Sequence, residues 1–161
     1  MTRRQTVPQQ WAIVDRSADA ALWTALRRLP IGSGVLLLTE LRPADRRRLR
    51  QLSKLRRLQV LERAATARVH GNRELREALL RRASLILISP LYPSRTHPDW
   101  MPLPRMRAAT LARLAGRKAI ALGGMDRHRF RRVQRLGFAG WAGIDAWRLR
   151  MPRSDGSEPR T

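Results

Sequence analysis

The sequence predicts an α/β fold built on a parallel sheet, and three observations support this prediction. Short apolar runs recur along the chain, separated by amphipathic stretches with helical spacing. Continuous apolar runs are typical of strands buried on both faces, as in a parallel sheet covered by crossover helices. Apolar residues make up 43% of the 161 residues, which is enough for the core of one domain. We expect that domain to span residues 1–150 and a disordered tail to follow at 151–161.

The elements alternate from the N-terminus onward. Strands are predicted at residues 11–14, 35–38, 58–61, 67–70, 85–88, 119–122 and 141–144. Helices are predicted at residues 20–29, 43–57, 72–82, 104–116 and 126–136. Pro43 suits a first helical turn, Asn72 and Asp126 are candidate N-caps, and Gly137 is a stop signal. On the inward helix faces we expect Leu49, Leu52, Leu55, Leu75, Ala78, Leu79, Met106 and Leu114.

One connection does not fit a regular alternation. Only residues 62–66 separate the runs at 58–61 and 67–70, whereas a crossover between adjacent parallel strands needs about a dozen residues or more. Either one of the two runs is not a strand, or a strand–helix unit is missing from the fold at this point.

Charge and composition limit the classes of function. The net charge is +22, and 32 of the 34 basic residues are Arg. Such a balance can indicate a nucleic-acid partner, but a GC-rich genome also produces it on solvent-facing helices, so nucleic-acid binding stays an alternative. The chain has no Cys, which excludes disulfides and thiol catalysis. Without an apolar run of about 20 residues or a signal-like N-terminus, a cytoplasmic protein is expected.

Three segments at the ends of predicted strands carry the candidate site, since α/β folds place ligands there. Residues 89–98 form a proline-rich segment with polar donors, among them Ser94, Thr96 and His97. Residues 121–126 place Gly123 and Gly124 before a helix, where backbone N–H groups can approach a phosphate. Residues 140–146 are rich in small side chains and include Gly143. Each segment alone is a weak signal.

Together, the order and spacing of these segments resemble the thiamine phosphate synthase/TenI family of (β/α)8 barrels. That family carries Ser/Gly-Pro-x-Phe-Pro-Thr after its sixth strand, Gly-Gly after its seventh and Gly-x-Ala after its eighth. The matching segments are SPLYPSRTH at 89–97, ALGGM at 121–125 and GWAGIDA at 140–146. Upstream, VHGNREL at 69–75 is similar to the motif at the fifth strand end. The resemblance predicts a parallel-stranded, TIM-barrel-like fold, shortened by one or more βα units.

The resemblance also implies a role in thiamine biosynthesis with a phosphorylated thiazole as ligand. The synthase branch is a transferase that joins a thiazole phosphate to a pyrimidine pyrophosphate with Mg²⁺. The tautomerase branch isomerises a thiazole carboxylate phosphate, using a His as acid/base at the position of His70. By the same resemblance, the expected substrate- and phosphate-binding residues are Ser94, Thr96, His97, Gly123, Gly124 and Gly143.

Two departures from the family pattern change these expectations. The Asp-Gly-Val-His-Leu-Gly-Gln-x-Asp segment that supplies Mg²⁺ ligands is absent, so no metal site and no other cofactor are expected. Proton transfer through His70 is therefore favoured over pyrophosphate displacement. In addition, Asp145 stands where the family has a phosphate-contacting Ser. A non-catalytic ligand-binding or regulatory protein is the alternative, and a shortened barrel leaves open a homo-oligomer that completes it.

Overall fold

The fold was analysed in a computed structural model that describes residues 7–16, 18–93, 98–144 and Trp147. Its strands are β1 (Gln10–Val14), β2 (Gly34–Leu37), β3 (Gln59–Glu62), β4 (Thr66–Val69), β5 (Leu85–Ile88), β6 (Ala119–Ala121) and β7 (Gly140–Gly143). Its α-helices are α1 (Ala20–Arg28), α2 (Pro43–Arg56), α3 (Asn72–Leu80), α4 (Arg105–Ala115) and α5 (Arg127–Val133). Short 3-10 turns lie at Arg63–Ala65, Gly116–Lys118 and Gln134–Leu136. The tail predicted at 151–161 lies outside the described residues.

All the strands join one parallel sheet in the order β3-β2-β1-β7-β6-β5-β4. The sheet curls, because the inner apolar cluster unites Leu36 of β2 with Leu85 and Leu87 of β5, although three strands lie between them. This arrangement is an α/β half-barrel, and it confirms the predicted TIM-barrel-like class.

Side chains alternate between the two faces of the sheet, as the two-residue period of a strand requires. The inner face is filled by large apolar residues, with Trp11 at its centre and fully buried. A Cβ atom on Gly34 of the neighbouring strand would lie 2.1 Å from Cε3 of Trp11. The absence of a side chain at position 34 therefore makes room for the indole. On the outer face, α1 and α2 cover β1 and β2, whereas α3, α4 and α5 cover β4 to β7.

The connection between β3 and β4 explains the irregular spacing in the sequence. Both predicted runs are strands, but they form the two opposite edges of the sheet and do not pair with each other. Only the turn Arg63–Ala65 joins them. The second alternative from the sequence is therefore correct: one strand–helix unit of a complete barrel is missing between β3 and β4.

Four residues expected on inward helix faces are exposed instead, and one of them is Leu79 of α3, which is 42% exposed. Leu55 is 81% exposed. It lies six residues after the buried Leu49, which places it about 120° away around the helix axis and therefore off the buried face. Arg56 turns inward in its place and donates to the carbonyl oxygen of Leu29. On α4 the buried face consists mainly of alanines, and Met106 and Leu114 lie off it, 73% and 60% exposed.

One predicted helix start is also shifted. Gly71, not Asn72, is the N-cap of α3. The orphan N–H groups at this end are satisfied from inside the helix by Glu74, so a capping side chain at position 72 is not needed. None of the described helices is long and apolar enough to cross a membrane.

Candidate functional site

The carboxyl ends of β4, β5, β6 and β7 are neighbours in the sheet, although they are far apart in the sequence. His70 follows β4, residues 89–93 follow β5, residues 122–124 follow β6, and Gly143 ends β7. The register of β4 and β5 pairs Val69 with Ile88, which places His70 beside Ser89. The fold therefore brings His70 and the glycine segment to one edge of the sheet.

His70 is held by two hydrogen bonds from different groups. Its Nδ1 lies 2.6 Å from the carbonyl oxygen of Ser89. Because a carbonyl oxygen only accepts, Nδ1 carries the hydrogen, and in the neutral ring Nε2 has the free lone pair. The backbone N–H of His70 donates to Oε2 of Glu74 at 2.6 Å, and that of Gly71 donates to the same oxygen at 3.0 Å. The half-buried imidazole is thus fixed in orientation and tautomer, as an acid/base group requires.

Trp100 and Ser89 complete the surroundings of His70. The indole ring of Trp100 lies edge-on to the imidazole, with the ring centroids 5.9 Å apart. Ser89 is 1% exposed, and its hydroxyl oxygen has no hydrogen-bond partner among the residues that the structure describes. By alternation from Leu85 and Leu87, this hydroxyl belongs to the inner face of the sheet. Glu74 and Ser89 lie inside the motifs at 69–75 and 89–97, although no role is predicted for them from the sequence, whereas Trp100 lies outside every motif.

Gly123 and Gly124 pack against the segment that follows β5. A Cβ on Gly123 would lie 2.8 Å from Cα of Pro90, and one on Gly124 would lie 2.4 Å from the carbonyl oxygen of Pro93. Both glycines have positive φ, +94° and +58°. Loop packing alone therefore requires glycine at both positions. Within the described part of the chain, the two glycine N–H groups donate to no acceptor.

Arg129 is part of this region and not of a purely solvated helix face. Its guanidinium donates to the carbonyl oxygen of Gly124 and lies over the Tyr92 ring, 5.0 Å from the centroid. Asp126 caps α5 by accepting from the N–H of Arg129 at 2.8 Å, as the sequence predicts. A cation is thus fixed beside the two glycines.

The remaining predicted contacts divide into two groups. Gly143 is buried at the end of β7 and follows Trp141 by two residues. Trp141 pairs with Ala121, and Gly123 follows Ala121 by two residues as well. Gly143 therefore stands at the same level of the sheet as Gly123. The residues that lie outside the described part of the chain are Ser94, Thr96, His97 and Asp145.

The acidic residues do not assemble a metal site. In residues 7–16, 18–93, 98–144 and Trp147, no three His, Asp or Glu side chains converge. Asp15 at the end of β1 pairs with Arg16 at 3.4 Å, and Glu62 at the end of β3 pairs with Arg46 at 2.7 Å. The described residues therefore do not fit the Mg²⁺ ion of the synthase branch.

A second concave feature lies on the outside of the sheet, between α3 and α4. This groove has a volume of about 380 Å³ and is almost entirely apolar. Its lining consists of Asn72, Leu75, Arg76, Leu79, Leu80 and Leu114. It contains neither an acid/base group nor a glycine segment, so the chemistry is assigned to the carboxyl edge of the sheet.

Comparisons with known proteins agree with the fold and the motifs. The model of the family described as thiamine monophosphate synthase (TMP-TENI) matches residues 38–147, more than half of the chain. Among solved structures, thiamine phosphate pyrophosphorylase from Pyrococcus furiosus is similar, with a TM-score of 0.68, 14% identity and 89% of each chain covered. At that identity the likeness establishes the fold. Comparison with curated protein sequences gives no match. The family match shows that this chain belongs to the thiamine monophosphate synthase (TMP-TENI) family.

Proposed function

We propose that this protein binds a thiazole phosphate, or a related phosphorylated heterocycle, and moves a proton on its ring through His70. The observation that carries the proposal is the hydrogen bond from Nδ1 of His70 to the carbonyl oxygen of Ser89. That bond leaves the lone pair of Nε2 for proton transfer. A histidine ring can act first as a general base and then as a general acid in one reaction.

The proposed anchor of the ligand is its phosphate. The N–H groups of Gly123 and Gly124 would donate hydrogen bonds to its oxygens, Gly143 would leave room opposite, and the guanidinium of Arg129 adds a positive charge nearby. Ser94, Thr96 and His97 are further proposed contacts, on the family resemblance. The apolar side chains of the inner face would then lie against the heterocycle.

The proposed reaction is an isomerisation that needs no external reactant. Nε2 of neutral His70 takes a proton from one carbon of the ligand's heterocycle. The electron pair of that C–H bond moves into the heterocycle. The imidazolium keeps its Nδ1–H bond to the carbonyl oxygen of Ser89. It then returns the proton to another position of the ring, which restores the neutral imidazole.

The test compares His70→Gln with His128→Gln, a matched control on the exposed face of α5. The substrate is a thiazole carboxylate phosphate, and isomer formation is followed by NMR. We expect His70→Gln to lose about 10²-fold or more of the rate and to keep the thermal stabilisation by the ligand, while His128→Gln matches the wild type. An undiminished rate in His70→Gln would contradict the catalytic role. Ligand stabilisation of the wild type without turnover would favour the non-catalytic alternative.

A further inference from the structure

Arg68 is a basic residue on the inner face of the sheet, where its neighbours on β5 and β6 are apolar. On β4, Ala67 and Val69 pack into the outer cluster, so alternation directs Arg68 and His70 to the inner face. The strand register aligns Arg68 with Leu87 of β5 and Ile120 of β6. Both partners are buried in the inner cluster. A cation is therefore placed in the same layer as two aliphatic side chains.

No carboxylate balances this cation in the described part of the chain. Instead, the guanidinium carbon lies 5.3 Å from the centroid of the Trp100 ring. Arg68 as a whole residue is exposed, yet burial of part of its side chain lowers its pKa. A charged group that is partly desolvated and has no counter-ion gains most from an anionic ligand.

Arg68 and His70 share Trp100 as a neighbour. The same indole lies over the guanidinium and edge-on to the imidazole. Because the two side chains leave one face of one strand, they are about 7 Å apart along it. Gly123 lies two strands away from Arg68 and about three residues further along the strand direction. Together these two displacements place the two Cα atoms roughly 14 Å apart along the sheet. An extended arginine side chain covers part of this distance. The gap that remains between its guanidinium and Gly123 then matches the length of a substituted five-membered ring.

We propose that Arg68 binds a second anionic group of the ligand, a carboxylate on the ring, and so sets the specificity of the site. The proposal rests on the proposed function, since it takes the phosphate to lie at Gly123 and Gly124. A guanidinium pairs with a carboxylate through two parallel hydrogen bonds. This protein would then prefer a heterocycle with both a phosphate and a carboxylate over the same heterocycle without the carboxylate.

The test measures binding of two probes, thiazole carboxylate phosphate and thiazole phosphate, by calorimetry. The variants are Arg68→Met and Arg68→Lys, with Arg47→Met as the control, since Arg47 is an exposed arginine on α2 that has no acidic partner among the described residues. We expect the wild type and the control to bind the carboxylated probe at least 10-fold more tightly. Arg68→Met should lose that preference and keep its affinity for thiazole phosphate, whereas Arg68→Lys should be intermediate.

The outcomes separate the two proposals. If neither probe binds the wild type, the proposed function fails, and the role of Arg68 fails with it. If the wild type binds both probes equally well, or if Arg68→Met keeps the preference, only the role of Arg68 is overturned. If Arg68→Met does not fold, Arg68→Lys decides, because it keeps the charge and the alkyl stem but not the planar pair of donors. An unchanged preference in Arg68→Lys then counts against bidentate binding.

Discussion

Glu74 offers a test of how the carboxyl end of β4 is held in place. One oxygen of its carboxylate accepts from the N–H groups of His70 and Gly71, at 2.6 Å and 3.0 Å. These bonds join the start of α3 to the residue that we propose as the acid/base. Replacing Glu74 by Ala removes both acceptors and leaves two backbone donors to find water.

The size of the effect follows from those two bonds. A hydrogen bond to a charged group contributes about 1.5–3 kcal/mol, and water recovers part of it at a half-buried site. We therefore expect Glu74→Ala to lower the free energy of unfolding by about 2 kcal/mol. For a chain of this size the midpoint Tm falls by roughly 2–4 °C per kcal/mol, hence by about 4–8 °C. Glu74→Gln keeps an oxygen acceptor and should lose about half as much.

The matched control is Glu77 on the same helix. It forms one exposed ion pair with Arg73 at 3.3 Å, so Glu77→Ala should cost less than about 0.5 kcal/mol. Thermal unfolding followed by circular dichroism compares the three variants. Equal Tm values for Glu74→Ala and Glu77→Ala would refute the anchoring role of Glu74.

Three more outcomes are expected. Gly34→Ala places a Cβ against the Trp11 ring and should destabilise the protein by about 1–3 kcal/mol in urea unfolding; a neutral effect would contradict the tight contact with Trp11. With thiazole phosphate, the pyrimidine pyrophosphate and Mg²⁺, we expect no Mg²⁺-dependent thiamine phosphate above a His70→Ala background, and chromatographic detection of that product would contradict the analysis of the acidic residues. Short nucleic acids should bind weakly, without sequence preference and with steep loss as salt rises; sub-micromolar, sequence-dependent binding at physiological salt would instead favour a nucleic-acid partner.

The strands were predictable because their signal is local. Four-residue apolar runs such as Leu85–Ile88 are buried on both faces, and even the two weakest runs, which became β3 and β4, are strands. Helix faces were less predictable, because the width of the buried stripe depends on what the helix covers. Leu55 illustrates this: its spacing allows an inward position, but α2 packs through Leu49 and Leu52.

The site was predictable only in part. His70 and the two glycines stand at strand ends that the sequence already marks, whereas the contact from His70 to Ser89 depends on the register of two strands. Arg68 had a usable signal, since it shares a strand face with His70. At Gly124 an added Cβ would clash with the carbonyl oxygen of Pro93, so a bulky substitution there disturbs loop packing as well as any bound phosphate.

The short turn between β3 and β4 has a geometric consequence for how a barrel can lose a strand. Paired residues lead from Val69 through Ile88, Ala121 and Trp141 to Gln10. Gln10 precedes by one residue the row formed by Trp11, Gly34 and Gln59. By this register, Val69 of β4 is aligned with Leu58, the residue before β3. From one edge strand of the sheet to the other, the residue number at the same register position therefore increases by eleven, from 58 to 69.

In a complete (β/α)8 barrel, the strand register shifts by about eight residues over one circuit, a shift called the shear. The shear accounts for most of this difference of eleven residues. The remaining three residues span about 10 Å, which is close to the two strand spacings, roughly 9.6 Å, that one absent strand leaves open. Because of this shear, the start of β4 lies at the same height along the barrel as the end of β3. The connecting turn therefore only has to pass laterally from one edge of the sheet to the other. A whole βα unit can be omitted without reversing the chain, and its loss makes β4, which carries Arg68 and leads into His70, an edge strand of the sheet.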